Sequence, residues 1–170
     1  MFGYSNIKQN NAKEPYKLHT HLKVLNVVDG DGLIVENILT QEEFEIRLLG
    51  IDAPELKRCR KLNQDERETH VPGALLMQLG HMSFKYMLEL VPPNSNVSFI
   101  QEEKRREDVY SRKLGYIILP NGEVLNEIMI REGYAKPLDK YYCTEINTYK
   151  ELNNKARIEK KGLYKLVAKF

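Results

Sequence analysis

Apolar and polar positions change their period several times along the chain, and each change predicts an element. From Leu22 to Val28 the residues are mainly apolar or β-branched. Asp29-Gly30-Asp31-Gly32 interrupts them and Leu33-Ile34-Val35 resumes, a strand, turn, strand signal. After a turn around Thr40 to Glu42, Phe44, Ile46 and Leu48 alternate with Glu45, Arg47 and Leu49. That period predicts a strand with one face in the core and Arg47 on the other, its guanidinium free to meet a ligand. Gly50 ends the alternation, and Ile51-Asp52-Ala53-Pro54-Glu55 leaves the sheet because Pro54 has no ladder donor. The next stretch, Leu56 to Val71, is charged and aperiodic, and predicts a long mobile loop.

Helical spacing begins after Pro72, which suits a first helical position. Leu75, Leu76, Leu79, Met82, Tyr86, Met87 and Leu90 form a broad apolar stripe that ends at Val91-Pro92-Pro93-Asn94. A strand follows around Val97 and Phe99, and another over Leu114 to Leu119. Between them Gln101 to Lys113 is a run of mixed charge, on composition alone a solvated turn. After Pro120-Asn121-Gly122, a short helix carries Val124, Leu125, Ile128 and Met129 and closes at Gly133. Ile146, Tyr149, Leu152 and Ala156 mark a last helix, with Lys160 and Lys161 in its final turn and Gly162 ending it. Five short strands interleaved with about three packed helices predict an α+β, mainly β fold, a small Greek-key barrel of the OB type.

The first sixteen residues are rich in Asn, Lys and Gln, without periodicity, and read as a frayed arm on a single domain spanning residues 17–170. With 42% apolar residues among 170, the chain can build one real core. The formal net charge of +2 is too small to mark a nucleic-acid binder by itself. Its distribution says more, since Lys150 to Phe170 holds seven Lys/Arg and two Glu. This tail suits a polyanion and equally suits a solvated helix face. Cys59 and Cys143 make no disulfide framework and no zinc spacing. No stretch resembles a secretory signal or a bilayer span, so the chain as written reads as soluble, with no membrane and no obligate protein partner. Export of a trimmed precursor stays open, and the compartment is unassigned.

The chemistry concentrates between Asp29 and Glu55. Three acids and an arginine brought together by neighbouring strands suit a hard divalent cation beside a phosphate, since all-oxygen ligands without His or Cys favour such an ion. Taken alone, Asp29 to Gly32 reads as a plain hairpin turn. An EF-hand is excluded, because Leu33 stands where that loop needs another oxygen ligand and the flanks are strands. Lys57, Arg58, Arg60 and Lys61 follow Glu55 and are placed either to reach a polyanion backbone or simply to solvate a loop. His19 and His21, two apart on a strand, share a face, but no third ligand accompanies them.

The motifs DGDG, IRLLGIDAPE and DVYSRKLGYI, in this order from Leu22 to Tyr164, resemble the staphylococcal nuclease (thermonuclease-like) family. The resemblance implies an OB barrel and a Ca²⁺-dependent phosphodiesterase acting on DNA and/or RNA. It matches Asp31 and Asp52, with the backbone carbonyl of Ala53, to metal ligands. It also matches Arg47 and Arg112 to phosphate-neutralising arginines and Glu55 to the general base. Asp29 is a second acid of the turn, and Asp108 and Tyr110 have supporting roles. Tyr141 and Tyr142 fall about where the family lines its nucleotide pocket, and aromatic rings stack on bases without needing sequence. Three departures stand out: Gly32 and Ala53 replace threonines of the best-known member, and Ser111 replaces a usual glycine. The second expectation is a catalytically silent OB-fold module binding nucleic acid or protein. A phosphodiesterase for a small molecule is a third.

Overall fold

In the computed structural model, residues 16–104 and 106–170 are described. The arm assigned to residues 1–16 lies outside them except for Tyr16, which begins β1 (Tyr16–Asp29). There follow β2 (Gly32–Asn37), β3 (Glu43–Leu48), β4 (Ile51–Asp52), α1 (Arg60–Thr69), α2 (Gly73–Leu90), β5 (Asn96–Glu102), β6 (Lys113–Ile118), α3 (Leu125–Arg131), β7 (Lys136–Pro137) and α4 (Ile146–Ile158). A 3₁₀ turn, Gly162–Lys165, comes after α4.

The five longer strands close a barrel in the order β1-β2-β3-β6-β5. Every pairing is antiparallel except β3 with β6. That is the expected OB-type α+β fold. Alternate residues of each strand point inward, so Val24, Leu33, Val35, Ile46, Leu48, Phe99, Leu114 and Tyr116 are buried together. A second apolar cluster joins Leu62 of α1, Leu76 and Leu79 of α2, Ala156 of α4 and the final turn with Leu163, Tyr164 and Phe170.

Helix α1 corrects the expectation of a mobile loop over Leu56–Val71. The exposed thiol of Cys59 caps it, Sγ accepting from the Leu62 amide at 3.4 Å. Its end is set by His70 in the left-handed region (φ 59°), whose N–H reaches the Glu66 carbonyl at 3.0 Å. A single buried leucine, Leu62, anchors it, a contact worth roughly 1.5–3 kcal/mol. Side-chain pairs four residues apart reinforce it, Lys61 to Asp65 at 2.9 Å and Gln64 to Glu68 at 2.7 Å. One leucine among charges leaves no apolar stripe to read.

Smaller differences concern ends. Helix α4 stops at Ile158, so Lys160 (φ 53°) and Lys161 lie beyond it, and Gly162 opens the 3₁₀ turn. The two histidines of β1 part company. His19 Nε2 donates to Gln101 Oε1 at 2.8 Å beside Phe44 and Phe99, whereas His21 (φ 59°) sits at a bulge that breaks the shared face. No helix among the described residues is long and apolar enough to cross a membrane.

Candidate active site

The Asp29–Gly32 turn joins β1 and β2 with Asp29 paired to Gly32. Asp29 Oδ1 accepts from the Asp31 amide at 3.0 Å and so fixes the turn from within. A Cβ at Gly30 would lie 2.6 Å from Cβ of Ala53 and 2.7 Å from Cβ of Ser83. Only a glycine lets this turn press against both the loop after β4 and helix α2. The same helix carries Gly80, where a Cβ would meet the carbonyl oxygens of Glu55 (2.5 Å) and Pro54 (2.7 Å). Two small positions on one helix, Gly80 and Ser83, thus bring the DGDG turn and the IDAPE loop together.

Strand β3 places Arg47 opposite Gly32 on one side and Leu114 on the other. The side chain is on the non-core face as expected, but its guanidinium is not free. Arg47 Nη1 donates to the carbonyls of Leu48 (3.1 Å) and Ile51 (2.9 Å). Nη2 lies 3.2 Å from Asp52 Oδ1 and 3.3 Å from Asp31 Oδ2. Arg47 is 8% exposed and therefore clamps the turn between β3 and β4 while bridging two buried carboxylates.

Asp31 Oδ2 also accepts from the Ala53 amide at 2.8 Å. Burial still dominates and pushes the Asp31 carboxyl up to about 7, with Arg47 pulling it down and Asp29 pushing it further up. Glu55, half-buried, is raised above its ordinary value by desolvation, against the pull of Lys61.

The second arginine stands on the other wall. In the turn before β6, Asp108 Oδ1 accepts from the amides of Tyr110 (2.9 Å) and Arg112 (3.0 Å). Asp108 Oδ2 accepts from Arg112 Nε at 2.7 Å. These hydrogen bonds keep the buried Asp108 carboxyl below its usual value despite desolvation. The turn requires Ser111 at φ 61°, a left-handed conformation that explains why a glycine suits the position. Arg112 reaches Glu45 Oε1 at 3.9 Å and lies 5.6 Å from the Tyr110 ring.

These groups face a shared open cleft of about 810 Å³. Asp29, Asp31, Arg47, Asp52, Glu55, Tyr110, Arg112 and Tyr141 line it. Three predicted residues do not, and the first is Ala53, buried at 3% exposure with its amide on the Asp31 carboxylate. Asp108 lies behind Arg112 and holds it, and Tyr142 points elsewhere, with the Lys104 ammonium 4.0 Å above its ring. Of the basic run after Glu55, Arg60 and Lys61 reach the cleft, whereas Arg58 turns to Asn63 (2.8 Å) and Glu66 (3.3 Å). Lys136 and Lys140, unmarked by any motif, add positive charge to the same walls.

Sequence reasoning missed the position of Lys61. Its Nζ lies 2.9 Å from Asp52 Oδ2, 2.9 Å from Asp65 Oδ2 and 3.6 Å from Glu55 Oε1. Only the four-residue spacing of Lys61 and Asp65 carried a signal, and that signal is for a helix.

The donors fit a hard divalent cation in kind, because Asp31, Asp52, Asp29 and Glu55 offer oxygen only and Asp31 is a buried carboxylate short of positive charge. In their present arrangement, no three His, Cys, Asp or Glu side chains among the described residues converge as a ligand cluster. Both oxygens of Asp52 are already engaged, one by Arg47 and one by Lys61.

Residues 45–166 match the family model for staphylococcal nuclease homologues. The match includes Arg47, Asp52, Glu55 and Arg112, and begins after Asp31. A protein of Escherichia coli O157:H7 named as an uncharacterised endonuclease is 29% identical over 145 residues, covering 85% of this chain and 76% of that protein. An uncharacterised protein of Methanocaldococcus jannaschii is 33% identical over 125 residues, covering 69% of this chain and 59% of its own length. The thermonuclease of Staphylococcus hyicus is 28% identical over 120 residues, 71% of this chain and 59% of that enzyme.

Proposed function

Because this chain belongs to the staphylococcal nuclease family, we propose that the cleft is the active centre of a nuclease that hydrolyses phosphodiester bonds of DNA and/or RNA with low sequence specificity, and that it uses Ca²⁺. The observation that carries this reading is the meeting of Arg47, Glu55 and Arg112 with the Asp31–Asp52 pair across one open cleft. Five groups from three stretches of the chain, Asp31, Arg47 to Glu55 and Arg112, line the same cleft. A binding module would not need the buried Asp31–Asp52 pair bridged by one arginine.

Asp31, Asp52 and the Ala53 carbonyl would hold the ion, which when bound supplies Lewis-acid polarisation of a phosphate oxygen. Glu55 orients the attacking water and takes its proton. Desolvation raises its carboxyl above the ordinary value, which makes it a stronger base than a solvated carboxylate. Arg112 meets the charge that grows on the phosphoryl oxygens, and Asp108 keeps its guanidinium in place. Arg47 holds Asp31 and Asp52 in register and adds fixed positive charge to the floor. Tyr110, 77% exposed at the rim, and Tyr141 offer ring faces to bases, which is compatible with any sequence. An open cleft with lysines on several walls favours a polymer over a small ester.

The test is cleavage of single-stranded DNA, RNA and a mononucleotide aryl ester by the purified protein in Ca²⁺, in Mg²⁺ and in chelator. Polymer cleavage that needs a divalent ion and is fastest with Ca²⁺ is expected. Preference for the small ester would overturn the substrate assignment, and undiminished cleavage in chelator would overturn the metal.

A further inference from the structure

Among the described residues, Lys61 is the one cation in the cleft that touches both Asp52 and Glu55, and no motif assigns it a role. We propose that Lys61 is a resident counter-ion that competes with the divalent cation for Asp52, pairs with Glu55 while the ion is absent, and withdraws to Asp65 when the ion enters. The inference rests on the metal-dependent reading of the same site.

Three observations carry it. The ammonium sits 2.9 Å from Asp52 Oδ2, an oxygen through which the cation would be held, and 3.6 Å from Oε1 of the base Glu55. A Ca²⁺ ion bound at roughly 2.3–2.6 Å from such oxygens would need the space the ammonium occupies, and the two positive charges would repel. Asp52 has no spare oxygen, since Oδ1 is engaged by Arg47 at 3.2 Å.

The third observation supplies the alternative seat. Asp65, one turn along α1, holds the same ammonium at 2.9 Å. Asp65 is buried, and the flexible lysine stem can move its head while keeping this partner. Ion entry thereby also frees Glu55 from its pairing with Lys61, so the base is released only in the loaded site. Lys61 is a positioning residue in this account, acting through Glu55 and Asp52.

The experiment is calorimetric titration of the full chain with Ca²⁺. Lys61→Met keeps the stem and removes the charge, and Arg60→Met removes an equal charge one residue away. Lys61→Met is expected to bind Ca²⁺ about tenfold or more tightly than wild type, and Arg60→Met less than about threefold, because only the first relieves direct competition. The gain persists in about 0.5 M KCl, where exposed charges are screened within a few ångströms. Asp65→Asn weakens the ion in wild type by clearly more than Glu68→Gln, and loses that excess in the Lys61→Met background.

Equal gains from Lys61→Met and Arg60→Met, or an additive Asp65→Asn, would overturn the proposal. Where circular dichroism shows Lys61→Met unfolded, equal weakening by Asp65→Asn and Glu68→Gln overturns it. Equal Ca²⁺ affinity of wild type and Lys61→Met, with cleavage intact, sinks this inference alone. Absence of Ca²⁺ binding by both sinks it together with the metal assignment.

Discussion

Two arginines line the cleft, and the structure holds them in opposite ways. Arg47 rises from the middle of the sheet and spends its guanidinium on two backbone carbonyls and two buried carboxylates. Arg112 stands at the edge of a turn, held by one carboxylate from its own loop, with a quarter of its side chain in solvent. The first is part of the frame that makes the site, and the second is an instrument mounted on it. Substitution therefore probes different things in the two places, and only Arg112 offers a clean test of catalysis.

The largest effect is expected at Arg47. Arg47→Ala leaves Asp31 and Asp52 buried beside each other without their shared cation, and should cost about 3–5 kcal/mol of stability together with activity. Urea denaturation checks it. Arg112→Ala should lower the cleavage rate by about 10²- to 10³-fold while changing stability by less than about 1 kcal/mol. Equal stability losses from the two variants would erase the contrast between frame and instrument.

Next in size is a pH effect from the floor of the site. The folded Asp31 carboxyl keeps its proton up to about 7, whereas the unfolded chain releases it near 3.8. Between those values the folded state binds more protons, so the Asp31 contribution falls as pH rises and is fully lost above about 7. In chelator, wild type should lose a few kcal/mol relative to Asp31→Asn across that window. Chemical denaturation of both proteins at several pH values reads the difference, and parallel curves would contradict it. The smallest effect belongs to the wall that carries Arg112. Ser111→Gly relieves a left-handed backbone and should stabilise by about 0.5–1 kcal/mol with cleavage nearly unchanged, a small shift in thermal midpoint.

The same contrast explains what could be read from the chain. Asp31, Arg47 and Asp52 lie on regular strands or at their ends, where period two and a two-residue turn fix which way each side chain faces. The floor of the site was legible for that reason, although not the four contacts that lock Arg47, which depend on where β4 brings its carbonyls. The rim obeys no period. Tyr141 and Tyr142 are adjacent in an irregular connection, and nothing local distinguishes the one that lines the cleft from the one beneath Lys104. Helix α1 was hidden for a related reason. Its stability comes from Leu62 in a cluster built by α2, α4 and the final turn, contacts far away in sequence. Missing that helix meant missing Lys61, whose ammonium reaches Asp52 only because α1 lies across the cleft. β4 and β7, two residues each, pair with one another and carry too few positions for any pattern.

The central claim, that this cleft cuts phosphodiesters with Glu55 as base, is tested most directly by one comparison. Single-turnover cleavage and equilibrium binding of the same labelled oligonucleotide would be measured in Ca²⁺ for wild type and Glu55→Gln. The account predicts that the variant binds within about threefold of wild type and cuts at least about 10²-fold more slowly, because only the proton-accepting group has changed. Cleavage by the variant at the wild-type rate would contradict it.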